Sequence, residues 1–465
     1  MRWVLVASLY LSFGVGSLFA ADGTVVLSRV DVLARALESN LGIRIQQFQV
    51  DVAKDGILRE QGAFDPEVNA SYESARPTGS SQDADSLNVS ATGLLATGGT
   101  YGVSLGADEG LIGGSGEFSS FAGVTFRQPL LRSFGFANNL AGVRIARRQF
   151  ELSEWQYKQL LLDTLASTVF AFNDLYEAQQ SLASSKRSRD LALQLVEDNK
   201  KRIDLGVIAK LDIVSAEAQL AFRTERVLQV SNIVRRAQNR LKQLIFENAE
   251  AALAADIEAV PYSEELIEGE FSRFLGELLE NSPDLRIGEM ALEIARLRSG
   301  RDRNQALPSL DLIAQYGFSG SGDSLRDSLS SAFSDREESY SVGASFSFPL
   351  LNREARARRS ISERREEIAV VDLGRIRQAI QLEFHTSFDV MQTNFQRVEA
   401  TRRARELAEL SLEAEEKKLN AGTSSTFVVL RLQNDLNGAE LREISATTSF
   451  NRSVADFNRL RGVLD

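Results

Sequence analysis

Apolar positions along the chain follow two periods that alternate twice. Over about 140–203, Leu161, Leu165, Phe172, Leu175, Leu182, Leu193, Val196 and Ile203 recur at three- and four-residue spacing. Polar Gln179, Lys186 and Arg189 interrupt that seam. Phe384, Phe388, Met391, Phe395 and Val398 repeat the pattern within about 354–420. A seam this long with charged flanks predicts coiled-coil helices. At about 1.5 Å per residue each would be a rod of roughly 95–100 Å. Shorter helices are predicted over about 211–247 and 427–463, after Gly-containing turns, and further helical stretches over about 28–62 and 270–305. The two shorter helical stretches of each set together match the long helix, which predicts short helices stacked along long ones.

Between these helices the period changes to two. Leu310, Leu312, Ala314, Tyr316 and Phe318 alternate with Ser309, Asp311, Gln315 and Gly317. Val342, Ala344, Phe346 and Phe348 alternate with Ser341, Gly343, Ser345 and Ser347. Ser120, Ala122, Val124 and Phe126 alternate with Phe121, Gly123, Thr125 and Arg127. Leu87, Val89 and Ala91, then Tyr101, Val103 and Leu105, flank Thr97-Gly98-Gly99-Thr100 and predict a hairpin. Pro66, Pro129, Pro308 and Pro349 stand where the two periods exchange, positions that helices do not continue through.

The order of elements is written twice. A shift of 242 pairs Leu37 with Leu279, Arg44 with Arg286, Arg59 with Arg301 and Pro66 with Pro308. A shift of 220 pairs Pro129-Leu130-Leu131 with Pro349-Leu350-Leu351, and one of 216 pairs Phe172 with Phe388, Gly206 with Gly422 and Leu244 with Leu460. The chain therefore divides into a signal peptide (1–21), a first repeat (22–247), a connector (248–268) and a second repeat (269–465). β-rich regions are predicted at about 66–128 and 308–349. The first is longer by 22 residues, the difference between the shifts 242 and 220, which is about one hairpin.

Composition narrows the chemistry. There is no cysteine and one histidine, His385, so thiol nucleophiles, thiolate metal sites and multi-histidine sites are excluded. No catalytic, cofactor or metal site is predicted, and His385 reads as packing or hydration, not chemistry. A net charge of −11 disfavours nucleic acid as a partner. Residues 1–20 carry Arg2 and a short apolar run ending in small residues, a secretory signal cleaved near Ala20 or Ala21. No later stretch is long and apolar enough for a transmembrane helix. Eight- to eleven-residue segments with one apolar side are instead the pattern of outer-membrane strands. A soluble half-buried sheet shows the same alternation. Four strands, or six with the extra hairpin, are fewer than the eight that close a membrane barrel, so several chains would have to share one.

From about residue 25 to the end the sequence resembles the TolC family of outer-membrane efflux proteins. The resemblance rests on the duplication, on Gln128-Pro129-Leu130-Leu131 at the strand exit, and on two Gly-centred reversals, Arg202 to Asp212 and Lys417 to Ser424. It implies a mostly helical chain with membrane β-strands, assembled as a trimer with a shared transmembrane β-barrel and an α-helical tunnel into the periplasm. It also implies an adaptor protein and an inner-membrane pump as partners in efflux or type I secretion. The reversals would be the periplasmic tips, with Asp204, Gly206, Val207, Lys210, Asp212, Gly422, Thr423, Ser424 and Arg431 near the gate or the adaptor. Asp212 falls on the acidic position of the family's tip latch. Leu419 and Ser424 replace its tyrosine and arginine, and Val428 and Arg431 stand where some members carry acidic rings. Lys200, Lys201, Arg202, Lys417 and Lys418 precede the reversals, where cations complement helix C-termini or contact an adaptor. The contrasting reading is a secreted or envelope coiled-coil structural or adaptor protein without a pore, which leaves the twice-inserted strands unexplained.

Overall fold

The computed structural model describes residues 24–75, 84–109, 118–204, 210–334, 337–421, 423–424 and 426–463. The signal-like residues 1–23 lie outside them. In chain order come β1 (Thr24–Leu27), α1 (Arg29–Ser39), α2 (Leu41–Gln61), β2 (Glu67–Ala75), β3 (Ala84–Leu94), β4 (Thr100–Glu109) and β5 (Phe118–Pro129). The short α3 (Phe136–Asn139), the long α4 (Ala141–Asp204), α5 (Lys210–Ile245), α6 (Ala249–Ala254) and β6 (Asp256–Ala259) follow. The second repeat supplies α7 (Phe271–Asn281), α8 (Pro283–Gln305), β7 (Ser309–Gly322), α9 (Leu325–Ser334), β8 (Glu337–Ser347), the long α10 (Arg353–Asn420) and α11 (Thr426–Arg461). Helix pair, strands, long helix and shorter helix thus occur twice. None of the described helices is long and apolar enough to cross a membrane.

Each leading helical stretch is broken once, at positions 242 residues apart. At Asn40 the side-chain Oδ1 accepts from the backbone N–H of Gly42 (2.9 Å) and Ile43 (3.3 Å), starting α2 afresh. At Ser282 the cause is Pro283, which opens α8 and holds the residue before it extended (φ −61°, ψ 120°). Apolar periodicity runs through both breaks, so only the local capping chemistry marks them.

The chain divides into two compact units. The first comprises residues up to 46, 158–282 and 379–465. Its core is a helical bundle: Phe172 and Leu175 of α4, Leu241 and Ile245 of α5, Phe384 and Met391 of α10, and Phe450 and Phe457 of α11 are all fully buried. Phe384 stacks on Phe457 with centroids 4.9 Å apart, and Phe274 of α7 meets Phe457 edge-on at 5.4 Å. Leu193 departs from the predicted seam. It is 44% exposed, whereas Ala192 and Val196 turn inward. Over so many turns the 3.6-residue helical period drifts away from a fixed three-four reading.

Residues 248–268 do more than connect the repeats. β6 pairs in parallel with β1, Val25 opposite Ile257 and Leu27 opposite Ala259, and these four side chains join the core beside Phe172 and Leu175. Gln179 fastens this strand to α4, donating to the Ile257 carbonyl (2.7 Å) and accepting from the Ala259 N–H (3.1 Å). A polar residue on the α4 seam is therefore fully used.

The second unit comprises residues 47–157 and 283–378. It holds one antiparallel six-stranded sheet in the order β2-β3-β4-β5-β7-β8. Six strands, not four, is the count, because the first repeat contributes two hairpins and the second one. The predicted hairpin is β3–β4, with Val89 opposite Leu105 and Ala91 opposite Val103. Its turn is closed by Gly98 N–H to the Leu95 carbonyl (2.8 Å). Gly98 takes φ +91°, and a Cβ there would fall 2.1 Å from the Ser133 carbonyl oxygen, so glycine is required twice over.

Candidate functional site

Register in the six-stranded sheet carries the alternating sequence onto two chemically distinct faces. One row of partners is Val68, Ala91, Val103, Val124, Tyr316 and Tyr340. The next is Ala70, Val89, Leu105, Ala122 and Phe318, closing on Glu338. Another joins Phe126, Ala314 and Val342, beside which Leu310 pairs with Phe346. The opposite face reads Ser71, Asn88, Gly106, Phe121, Ser319 and Glu337 along one row, and Gly102, Thr125, Gln315 and Ser341 along another. Because strand side chains alternate strictly, one residue of slippage anywhere would mix the two faces. No slip occurs across the five pairings.

The apolar face is largely uncovered. Val68, Tyr72, Val103, Val124, Tyr316, Tyr340, Val342 and Phe346 are all exposed. Among the described residues it is covered at one margin, where α9 packs over Ala107, Ser120 and Gly320. Ser120 donates to the Ser328 carbonyl at 2.6 Å, and a Cβ on Gly320 would strike the Ala332 nitrogen at 2.3 Å. A contiguous apolar surface of this extent is foreign to a water-facing sheet.

The strand exits are locked within the same unit. Leu130 N–H donates to the Leu310 carbonyl (2.7 Å), and Ser133 N–H to Asn304 Oδ1 (2.7 Å). Arg127 pairs with Asp311 at 2.7 Å on the polar face. Asn352, at φ +44°, donates its amide to the Ala306 carbonyl (3.0 Å). The repeated Pro-Leu-Leu exits thus leave the sheet through hydrogen-bonded corners.

The reversals belong to the first unit. Gly206, Val207 and Gly422 fall outside the described residues. Asp204 is the last residue of α4, and Lys210 and Asp212 lie in the first turn of α5. At the second reversal, Thr423 N–H (2.9 Å) and Oγ1 (3.1 Å) both donate to the Lys418 carbonyl. That contact satisfies one of the carbonyls that end α10. Ser424 donates to Glu415 Oε1 at 2.6 Å, and Lys418 pairs with the same carboxylate at 2.9 Å. These contacts, the Ser424 hydroxyl first, hold the Glu415 carboxyl below the usual range, with Arg431 adding to the field. Ser424 therefore closes its own reversal. Glu415 is a residue of this reversal that the sequence did not single out; its sequence signal is the Glu-x-x-Lys spacing to Lys418.

Arg431, in the second turn of α11, is exposed and lines a cleft of about 430 Å³ with Ser188, Leu195, Arg223 and Asn434. Arg223 donates to Ser188 across it. Three more of the cations before the reversals are partnered: Lys417 with Glu413 (2.7 Å), Lys201 with Asp198 (3.4 Å) and Lys200 with Glu217 of α5 (3.8 Å); the side chain of Arg202 lies outside the described ones. Farther along, Arg405 of α10 donates to Glu443 of α11 at 2.5 Å.

A second polar cluster ties the connector to the bundle. Asn451 donates to Asn173 Oδ1 and to the Tyr262 carbonyl, both at 3.1 Å, and accepts from the Glu264 N–H at 2.9 Å. Asn173 in turn donates to the Tyr262 hydroxyl at 2.8 Å, and burial pushes that phenol up to about 12. His385 lies on the α10 surface, 3.1 Å from Asp389 and edge-on to the Phe271 ring. No group of acids and histidines able to hold a metal occurs among the described residues.

Comparison with known proteins agrees with this architecture. The family model for outer membrane efflux proteins matches residues 32–245 and 274–463. No curated protein sequence matches the chain. Among solved structures, the CmeC outer membrane channel of Campylobacter jejuni aligns with TM-score 0.73 at 14% identity, over 93% of this chain and 85% of that one. The outer membrane protein VceC of Vibrio cholerae aligns with TM-score 0.67 at 16% identity, over 94% and 96%. The open-state MtrE outer membrane channel of Neisseria gonorrhoeae aligns with TM-score 0.66 at 16% identity, over 94% and 89%.

Proposed function

Because the chain belongs to the outer membrane efflux protein family, we propose that it is the outer-membrane channel of a tripartite efflux or type I secretion assembly. The observation that carries this reading is the six-stranded sheet: one face apolar and open, the other polar, both edges unpaired, inserted twice into a helical chain. Lipid accepts a sheet only when its edges are closed. Several copies, three by the family resemblance, would therefore share one barrel, with the polar face toward the bore. The helical bundles of the three copies would form the periplasmic tunnel. The reversals at 204–212 and 420–426 would be its inner tips, the parts presented to a periplasmic adaptor and an inner-membrane pump. Asp204, Lys210, Asp212, Thr423, Ser424 and Arg431 are proposed to border the aperture. The Glu415–Ser424–Lys418 contacts support a built, closed tip at the second reversal. The proposed role is passage, not turnover.

The test is fractionation followed by electrophysiology. Outer-membrane recovery of an oligomer that falls to single chains on heating in detergent, and discrete conductance steps in planar bilayers, are expected. A water-soluble species with no conductance would favour the pore-free coiled-coil scaffold instead.

A further inference from the structure

The two edges of the sheet are shaped to fit each other on neighbouring copies. β2 and β8 are the edge strands, and six alternating antiparallel strands leave them running in opposite directions. β8 of one copy can therefore add to β2 of the next as one more antiparallel pair. Neither edge strand contains the lysine or proline with which proteins blunt exposed edges. All eleven residues of β8 are exposed.

The register states how the pair would form. Following hydrogen-bonded partners from Glu67, the first residue of β2, leads through Thr92, Gly102, Thr125 and Gln315 to Ser341. β8 continues six residues beyond it, to Ser347. If the end of β8, Ser347, lies level with Glu67 of the next copy, one chain contributes a stagger of six residues over six strands. Equal stagger and strand number give a strand tilt of about 35° from the spacings of 3.3 Å along and 4.8 Å between strands. That lies at the low end of the tilt found in membrane barrels. An even stagger also keeps the two faces in phase around the ring.

We infer that β8 of each copy pairs with β2 of the next, Ser347 level with Glu67, closing three copies into an eighteen-stranded barrel. This rests on the trimeric outer-membrane reading above and adds to it the strand count, the seam and its register. The predicted seam places Phe346 against Val68, Ala344 against Ala70 and Val342 against Tyr72 on the lipid face. Ser345 then meets Asn69, and Gly343 meets Ser71, on the bore face. Farther along the same seam Tyr340 meets Ser74 and Ser339 meets Ala75, so the match of like with like holds over residues 67–73. The ring would measure about 34 Å across between backbones, against about 22 Å were only four strands per chain to take part. The connections agree in sense. β3 and β4 are joined at one end by the tight turn at Leu95–Gly99, whereas the other end carries the longer links, including α9. Short turns on one side and longer loops on the other are usual in such barrels.

The native chain has no cysteine, so the seam can be tested by paired substitution in the full-length membrane protein. Ala70→Cys with Ala344→Cys should, on oxidation, convert most chains to a covalent trimer on denaturing gels, reversible by thiol. Directly opposed strand residues lie within disulfide reach. Two further pairs are Ala70→Cys with Ser345→Cys, which faces the other way, and Val103→Cys with Ala344→Cys. The latter should link only if the β2–β3 hairpin stays out of the ring and β8 meets β4. Each variant is first run without oxidation and without heating, to show its non-covalent oligomer. Linking through Val103, or an intact oligomer with no Ala70–Ala344 link, overturns the eighteen-stranded ring while leaving the channel reading in place. Absence of any oligomer in the unmodified protein overturns both.

Discussion

Replacing Val124 by arginine tests the assignment of the two sheet faces most directly. Val124 lies midway along β5, opposite Val103 on one side and Tyr316 on the other, and is 49% exposed. If this face meets lipid, the guanidinium sits near the bilayer midplane, where arginine costs about 2–4 kcal/mol. Per chain that lowers the folding equilibrium by about 30-fold to nearly 1,000-fold, and in a trimer the cost is incurred roughly three times. Thr125, the next residue, faces the other side, in line with Gly102 and Gln315. Thr125→Arg should cost little, because Arg127 already occupies that face, paired with Asp311. Urea-titrated folding into lipid vesicles, read by the heat-dependent gel shift, measures both variants. V124R should shift the midpoint strongly or prevent insertion, and T125R should stay near the parent. Equal tolerance of the two substitutions would refute the lipid-facing assignment, and with it the barrel.

Four further outcomes follow from the helical unit. Phe457→Ala removes a ring that is fully buried and stacked on Phe384; a loss of about 3–5 kcal/mol is expected in chemical denaturation, the usual cost of such a cavity. Asn451→Leu removes the partner of the part-buried Glu264 N–H and Tyr262 carbonyl, at up to roughly 1–3 kcal/mol for each. Limited proteolysis should then cut the 248–268 segment sooner, and an unchanged digestion rate would show that the connector is held elsewhere. At the second reversal the Glu415 carboxyl is held low in the folded state by Ser424 and Lys418. Its contribution is present above the ordinary glutamate range and is lost as pH falls through the lowered value. Conductance should therefore rise only on acidification to below the ordinary glutamate range, as pH falls through the lowered value, and Glu415→Gln should raise it at neutral pH and flatten that response. Asp212→Ala should likewise raise single-channel conductance; an unaltered conductance would remove Asp212 from the gate.

The sequence by itself determined the repeated order of elements, the long helices and the alternation of the strands. Each is a local periodicity: one face of each element must be apolar wherever it is buried in protein or in lipid. The Pro-marked joints were legible for the same reason, since proline constrains the backbone whatever surrounds it. What depends on partners distant in sequence came only from the tertiary structure. Gln179 reads as a polar interruption of a seam, yet it holds β6; Asn173, which the apolar pattern does not single out, holds Tyr262, each partner some 80 residues or more along the chain. The pairing of β1 with β6 joins two four-residue segments too short to carry a period. Leu193 read as core because three-four spacing was extended past the point where helical phase had drifted. Glu415 showed its role only when the chain reversed and brought Ser424 against it. The strand count, too, needed the register, because alternation identifies a strand's faces but says nothing of its neighbour. Hydrogen-bond pairing between strands is a property of the sheet, and only the assembled sheet shows which two edges remain open.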